Sequence, residues 1–176
     1  MVQNRALVFD VVPQGLPVVG KDLIIKDIGF DLDVVPKDGA ILKINYASFD
    51  PYLRGRMRNK SEKSYFDAFD LHAPIETGLV GTVVKSANAT LKEGDIIRTF
   101  GPLQEYWTIT PEMFDQLNPV TALPLIEQIS NPYNVHLAEF LGALGMPGIT
   151  AYSSFYEIGQ PKKGEVIFSS LQHLVR

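Results

Sequence analysis

Residues 40–49 read AILKINYASF, and this stretch decides the fold class. Apolar and polar side chains alternate along most of it, which is typical of a β-strand with one buried face. The alternation places Leu42, Ile44 and Tyr46 on the same face of the strand. We therefore predict a strand at this position and assign the face that carries Leu42 to a hydrophobic core.

Further short strands are predicted on both sides of this stretch. They cover residues 5–11, 23–28, 75–86, 96–100 and 105–109. Short strands at this spacing, with turn residues between them, favour a small antiparallel barrel or sandwich. Gly81 lies inside one of these strands and predicts a bulge, or a close approach by a neighbouring strand or a cofactor.

The pattern changes beyond residue 130, where helices are predicted. Asn131 followed by Pro132 is typical of an N-cap and a first helical residue. We therefore expect a first helical segment around residues 135–144.

A second helix is predicted from Pro147 to about Ile158. Its N-cap would be Met146, and Gly159 suits the C′ position that ends a helix. The apolar stretch EVIFS at residues 165–169 then predicts a short buried strand.

Composition restricts the class of protein. The chain has 176 residues, 45% hydrophobic and 20% charged, which is ordinary for one globular domain or for one domain with part of a second. It contains no cysteine, so disulfide frameworks, thiolate metal sites and cysteine nucleophiles are excluded. The net charge of −4 and the absence of a basic run argue against nucleic acid and anionic membranes as partners. Because no leader or membrane-spanning stretch is recognisable, we expect a cytoplasmic protein.

Residues 48–57 read SFDPYLRGRM, and this decapeptide resembles a signature of the medium-chain dehydrogenase/reductase superfamily. The resemblance is to its zinc-free branch of alkenal double-bond reductases and prostaglandin reductases. Two further segments are similar to the same branch and follow in the same order. They are GTVVKS at residues 81–86, before Gly94-Asp95, and LGMPGITAY at residues 144–152, before PKKGE at residues 161–165.

The resemblance implies a fold that is mainly β with some α. We expect a GroES-like barrel at residues 1–130, connecting helices at residues 131–163, and the opening strand of an incomplete Rossmann domain at residues 164–176. Members of the family bind NADPH in the cleft between the two domains. They deliver hydride to the β-carbon of an α,β-unsaturated aldehyde or ketone, and the resulting enolate is protonated. The lack of cysteine fits a branch that uses no zinc.

The resemblance also implies candidate site residues. Tyr52 matches the family tyrosine beside the substrate, where its hydroxyl would bond a carbonyl or enolate oxygen. The alternative is an aromatic residue held at the barrel rim by packing. Met146 and Thr150 match positions near the nicotinamide ring, and the alternative there is a helical turn packed on the barrel.

Other polar residues are interpreted as structural. Arg54 and Arg56 should act as structural or surface cations that pair with Asp50 or Glu62, and the alternative is that they attract the cofactor phosphate. The three histidines are scattered without metal-ligand spacing, so no metal site is expected.

The sequence departs from the family after residue 168. Ser169-Ser170 begins the expected small-residue loop, but LQHLVR at residues 171–176 replaces the glycine-rich phosphate loop. Because a backbone without glycine cannot easily approach a phosphate, we expect this chain to bind no NADPH itself. The favoured function is the substrate-side part of a truncated reductase of enals or enones, inactive alone. The alternative is a non-catalytic barrel module for assembly, regulation or binding of a small ligand.

In the family, the Rossmann domain covers the helix that begins at Pro147 and the strand at residues 165–169. Without that cover, apolar side chains such as Ile149, Tyr152 and Phe168 would be exposed, and an unpaired strand would invite pairing with another chain. We therefore expect self-association through the C-terminal segment.

Overall fold

A computed structural model describes residues 1–119 and 122–168, and over these residues the chain is mainly β. The strands are β1 (Arg5–Phe9), β2 (Leu23–Asp27), β3 (Ala40–Ala47), β4 (Ala73–Pro74), β5 (Glu76–Ser86), β6 (Ile96–Pro102), β7 (Tyr106–Ile109) and β8 (Glu127–Gln128). One sheet has the order β2-β1-β4 and the other the order β7-β3-β5-β6-β8. All pairings between these strands are antiparallel, as the sequence predicted.

The larger sheet is built around β3, which pairs with β5 on one side and β7 on the other. Leu42 is fully buried in a core cluster with Val83, Ile97 and Ile109, so the predicted core face is confirmed. Ile44 is only partly buried and packs against the edge of this cluster.

The two sheets are joined by the segment that follows β6. The Leu7 amide donates to the Leu103 carbonyl at 2.9 Å, and this links β1 to the larger sheet. The fully buried Asn4 side chain pairs with both backbone polar groups of Tyr106. Its Nδ2 donates to the Tyr106 carbonyl at 3.1 Å, and its Oδ1 accepts from the Tyr106 amide at 2.9 Å. The amide of Asn4 thus acts as a strand neighbour for β7.

Gly81 serves the contact between β3 and β5. A Cβ at this position would lie 2.8 Å from the Lys43 carbonyl oxygen, so only glycine allows this approach. The pairing register shifts nearby, between Ile44 and Tyr46, which identifies the irregularity predicted from sequence. The close approach is therefore by a neighbouring strand.

Helical segments are short. They are α1 (Tyr52–Arg56), 3-10 turns at Pro111–Asp115 and Leu137–Phe140, α2 (Met146–Ser153) and a π-helical turn at Ser154–Gly159. None of the helices in the described part of the chain is long and apolar enough to cross a membrane.

The helix start predicted at Asn131-Pro132 is wrong. The Asn131 side chain closes a loop instead, because its Oδ1 accepts from the Val135 amide at 2.9 Å and its Nδ2 donates to the Val135 carbonyl at 2.8 Å. Such local side-chain bonds compete with helix formation. Helical geometry begins only at Leu137, after His136 as N-cap.

The second predicted helix is confirmed, with shifted ends. It begins at Met146 with Gly145 as N-cap, one residue earlier than predicted. At its other end the Gln160 amide donates to the Phe155 carbonyl at 3.0 Å, five residues back. This wider turn moves the left-handed residue from the expected Gly159 to Gln160, whose φ is 44°.

The strand predicted at residues 165–169 is not formed over its described part, Glu165 to Phe168. Val166 is 99% exposed and Phe168 is 89% exposed, so neither side chain packs in a core. A strand needs a paired neighbour for its backbone groups, and no described residue supplies one here. Ser169 to Arg176, including the departure at residues 171–176, lie outside the described residues.

We predict that Leu42→Ala lowers the free energy of unfolding by about 2–5 kcal/mol, because a fully buried aliphatic side chain leaves a cavity when it is truncated. Ile44→Ala should have a smaller effect because Ile44 is only partly buried. Urea unfolding measures both, with Lys43→Ala on the exposed face of β3 as the control. A change below about 0.5 kcal/mol for Leu42→Ala would contradict the assigned core face.

Candidate functional site

A cleft with a cavity volume of about 60 Å3, partly open to solvent, lies where α1, the strands β5 and β6, and the start of α2 meet. Its apolar side chains come both from the barrel and from the residues around α2, whereas its polar groups come mainly from the barrel. The apolar lining residues are Phe100, Leu123, Pro124, Leu125, Phe140, Leu141, Met146 and Ile149. The ionisable lining residues are Asp50, Tyr52, Arg98 and Glu127.

Tyr52 is the first residue of α1 and lies half-buried in this cleft. Its ring packs against Phe66 with the ring centroids 5.2 Å apart. Burial raises the pKa of the Tyr52 hydroxyl above its ordinary value, and the Asp50 carboxylate raises it further, while Thr77 and Arg56 act in the opposite direction. The hydroxyl therefore stays protonated at neutral pH and can donate a hydrogen bond to a ligand oxygen.

Met146 lies in the same cleft as Tyr52, although 94 positions separate them in the sequence, whereas Thr150 is exposed and is not among the lining residues. The Thr150 hydroxyl donates to the Met146 carbonyl at 2.9 Å, within α2. Its oxygen keeps the capacity to accept a hydrogen bond. The structure thus brings together two of the three residues assigned from sequence and leaves the third one turn away on the same helix.

Arg98 holds the segment before α2 against the barrel. From β6, its guanidinium makes an ion pair with Glu127 of β8, with an Nη2–Oε2 distance of 2.6 Å. Its Nη1 donates to the carbonyls of Phe140 at 3.3 Å and Leu144 at 2.9 Å. One side chain therefore connects β6, β8 and the segment that leads into Met146.

Gly145 completes this junction. A Cβ at Gly145 would lie 2.7 Å from the Phe140 carbonyl oxygen and from the Leu141 carbonyl carbon. Only glycine lets the chain pass so close to the preceding turn, and this close passage leads directly into α2 at Met146.

Arg56, the last residue of α1, has a different partner from the one predicted. It pairs with Glu76 at 3.0 Å, and its guanidinium stacks over the Phe69 ring at 4.1 Å from the centroid. Its Nε also donates to the Asp67 carbonyl at 3.0 Å, so its donors face Glu76 and Asp67 rather than Asp50 or Glu62. The side chain of Arg54 donates instead to the Gly15 carbonyl at 2.6 Å.

Sequence reasoning missed Arg98 and Thr99 as cleft residues. A basic residue inside the apolar stretch IIRTF, at residues 96–100, was the available signal for Arg98. Thr99 is 3% exposed, and its hydroxyl has no hydrogen-bond partner among the described residues. Over the same part of the chain, no group of three histidine or carboxylate side chains could hold a metal ion.

The cleft residues fit the nicotinamide end of NADPH. Leu141, Met146 and Ile149 offer an apolar wall to a flat uncharged ring. The Thr150 oxygen, one turn beyond Met146, can accept from a carboxamide. The loop that would hold phosphates falls at residues 169–176, outside the described part.

Comparison with known proteins defines the class. A family model described as the N-terminal domain of oxidoreductase matches residues 8–117. The chain therefore belongs to this oxidoreductase family, within the medium-chain dehydrogenase/reductase superfamily, and its barrel is the N-terminal GroES-like domain, as predicted.

Two individual relatives are similar to nearly the whole of this chain. The chain is 43% identical to the NADP-dependent oxidoreductase RED1 of Cochliobolus heterostrophus over 171 residues, which are 97% of this chain and 46% of that protein. It is 34% identical to the 2-alkenal reductase (NADP(+)-dependent) of Nicotiana tabacum over 170 residues, which are 96% of this chain and 46% of the relative. The chain thus spans about half the length of these relatives.

A solved structure shares the fold. CurA from Vibrio vulnificus in complex with NADPH aligns with a TM-score of 0.73 and 27% identity, over 92% of this chain and 42% of that one. The similarity extends beyond the barrel, since 92% of the chain is more than the family model matches.

We predict that Arg98→Met lowers the free energy of unfolding by about 2–3 kcal/mol, because Glu127 and two carbonyls lose a charged donor. The matched control is Arg5→Met, which removes the exposed ion pair with Glu105 and should change stability much less, because exposed ion pairs are screened by solvent. Urea unfolding measures both, and hydrogen exchange should report faster opening of residues 137–145 in Arg98→Met alone. Equal losses in the two variants would contradict the role of Arg98.

Proposed function

We propose that this chain forms the substrate side of an NADPH-dependent reductase that acts on the C=C bond of α,β-unsaturated aldehydes and ketones without zinc. The observation that carries the proposal is the position of the Tyr52 side chain, half-buried beside apolar walls in a cleft bordered by α2. The names of two relatives, a 2-alkenal reductase and an NADP-dependent oxidoreductase, support the reaction class.

Tyr52 would act on the carbonyl oxygen of the substrate. NADPH, when bound, supplies the hydride for the β-carbon. Negative charge then develops on the carbonyl oxygen as the enolate forms, and a hydrogen bond from the Tyr52 hydroxyl becomes stronger as this charge grows. A tyrosine hydroxyl is protonated at neutral pH and can donate, and the raised pKa of Tyr52 is consistent with this state.

The proposed cofactor contacts lie on α2. Met146 would pack against the nicotinamide ring, and Thr150 would accept from its carboxamide. We propose the corresponding domain division as well, with the barrel at residues 1–130, the connecting helices at residues 131–163 and the first part of a nucleotide-binding domain at residues 164–176. Under this division the cleft lies at the boundary between the first two parts.

Binding of a neutral enone tests this assignment. We predict that Tyr52→Phe weakens the binding of 4-phenyl-3-buten-2-one about fivefold, which corresponds to one hydrogen bond of about 1 kcal/mol. Tyr65→Phe is the matched control, since Tyr65 is 90% exposed and is not a lining residue of the cleft. Isothermal titration measures the affinities, and NMR shifts should map to the cleft. Equal affinities for Tyr52→Phe and the wild type would contradict the role of Tyr52.

We further predict that the chain alone binds NADPH more weakly than about 100 μM, because residues 171–176 contain no glycine to let the backbone approach a phosphate. Reduction of the same enone by the chain alone should not exceed a buffer blank. Calorimetry and the loss of NADPH absorbance measure the two quantities. Low-micromolar affinity or stoichiometric turnover would show that residues 171–176 do not prevent cofactor use.

A second candidate function is a non-catalytic barrel module that binds a small ligand or serves assembly or regulation. The glycine-free stretch at residues 171–176 favours it, because this stretch replaces the loop on which cofactor binding depends. The gene sequence can distinguish the two functions. A glycine-rich loop encoded directly downstream would favour the reductase.

We also propose self-association through the C-terminal segment. Tyr152 is 65% exposed and Ile158 is 80% exposed, and the rings of Tyr152 and Tyr156 lie 4.7 Å apart in an aromatic cluster on this segment. Exposed apolar clusters of this kind favour pairing with a second copy of the chain.

We therefore predict a dimer or larger species by light scattering at micromolar concentration. Tyr152→Glu combined with Ile158→Glu should give a monomer, because the paired carboxylates would have to be buried. Tyr133→Glu, at a residue that is 88% exposed outside this segment, should leave the mass unchanged. A monomeric wild type would contradict the proposal.

A further inference from the structure

We propose that Asp50 is a specificity-determining residue that restricts the cleft to uncharged ligands and excludes carboxylates of the same shape. The inference rests on the proposed function, because it concerns the ligand that the cleft accepts beside Tyr52. The apolar walls of the cleft already select ligands by size and hydrophobicity, and Asp50 would add selection by charge.

The position of Asp50 supports this assignment. It lies two residues before Tyr52, is partly buried and lines the same cleft. Its backbone carbonyl accepts from the Leu53 amide at 3.0 Å, so the start of α1 is formed by the backbone of Asp50. The side-chain carboxylate makes no ion pair or hydrogen bond with any described residue, and its charge is therefore uncompensated.

The nearby cations do not pair with this carboxylate, although Arg56 partly offsets its effect on the Tyr52 hydroxyl. Arg98 is the cation among the described lining residues, and its guanidinium is bound to Glu127 and to two backbone carbonyls. Arg56, which also influences Tyr52, is paired with Glu76 at 3.0 Å. Since Arg98 and Glu127 cancel, the cleft carries one net negative charge.

The field of Asp50 reaches the place where a ligand oxygen would bind. The Asp50 carboxylate contributes to the raised pKa of the Tyr52 hydroxyl, which means that it opposes a second negative charge at that oxygen. A carboxylate ligand bonded to Tyr52 would place its charge in the same position and would meet the same repulsion. A ketone or amide oxygen carries no net charge and would bind without it.

A set of isosteric probes separates charge from polarity. The probes are 4-phenyl-3-buten-2-one, cinnamamide and cinnamate, which share the 3-phenylprop-2-enoyl group and carry on its carbonyl carbon a methyl group, an amino group and a carboxylate oxygen, respectively. We expect cinnamate to bind the wild-type chain about tenfold more weakly than the ketone, as one like charge lining the same partly solvated cleft implies. Cinnamamide should bind within about threefold of the ketone, because charge and not polarity is selected.

Asp50→Asn removes the charge and keeps the shape of the side chain. The ratio of ketone affinity to cinnamate affinity should fall from about ten to about two or less in this variant. Glu93→Gln is the matched control, because it changes the net charge by the same amount at an exposed turn residue outside the cleft. The ratio should be unchanged there. Higher salt should also narrow the ratio in the wild type, since screening weakens repulsion without any change of sequence.

The outcomes distinguish this inference from the function on which it rests. If the wild type binds ketone and cinnamate equally, or if Asp50→Asn and Glu93→Gln give the same ratio, the role of Asp50 is wrong while the substrate cleft stands. If cinnamamide is excluded as strongly as cinnamate, selection is by polarity and the charge argument is wrong. If none of the three probes binds the wild type, the proposed substrate site is wrong and the inference is overturned with it.

Discussion

The closure of the two sheets by residues 103–106 is the constraint on which the rest of the structure depends. A three-stranded and a five-stranded antiparallel sheet would each present open edges to solvent, and β1 and β7 are joined only because this segment bonds to both sheets. The buried Asn4 amide contributes here, because it bonds to both backbone polar groups of Tyr106, whose carbonyl also accepts from Gln104 Nε2 at 2.6 Å. Either group left unpaired in the interior would destabilise the fold.

The closed barrel then determines where the cleft can form. With β5 and β6 held in register, Arg98 projects from β6 toward the segment that precedes α2. Its guanidinium satisfies carbonyls at the end of the short 3-10 turn, which would otherwise lack donors. The cleft therefore depends on tertiary contacts. Tyr52 is supplied by α1, which follows β3, and Met146 is supplied by α2. The Arg98 side chain holds these two walls together.

Local signals explain what could be predicted from the sequence. The alternation in residues 40–49 identifies a strand and its Leu42 face because both depend on neighbouring residues alone. Asn131 shows the limit of such signals, since one asparagine can cap a helix or close a loop and only the position of Val135 decides. Arg98 could not be assigned from sequence, because its partners lie 29, 42 and 46 residues further along the chain.

The ion pairs of the two arginine side chains near the cleft also affect which end of a dinucleotide could bind there. Arg56 and Arg98 both lie near the cleft, yet each is bound to a carboxylate, and Asp50 adds an uncompensated negative charge. An uncharged nicotinamide ring meets no electrostatic penalty in such surroundings, whereas a phosphate would be repelled by Asp50 and would meet guanidinium groups that are already paired with carboxylates. Under the proposed function, the cleft would thus accept the nicotinamide end of the cofactor and reject its phosphates, just as it would accept uncharged substrates and reject anionic ones. Phosphate binding would depend on residues outside the cleft.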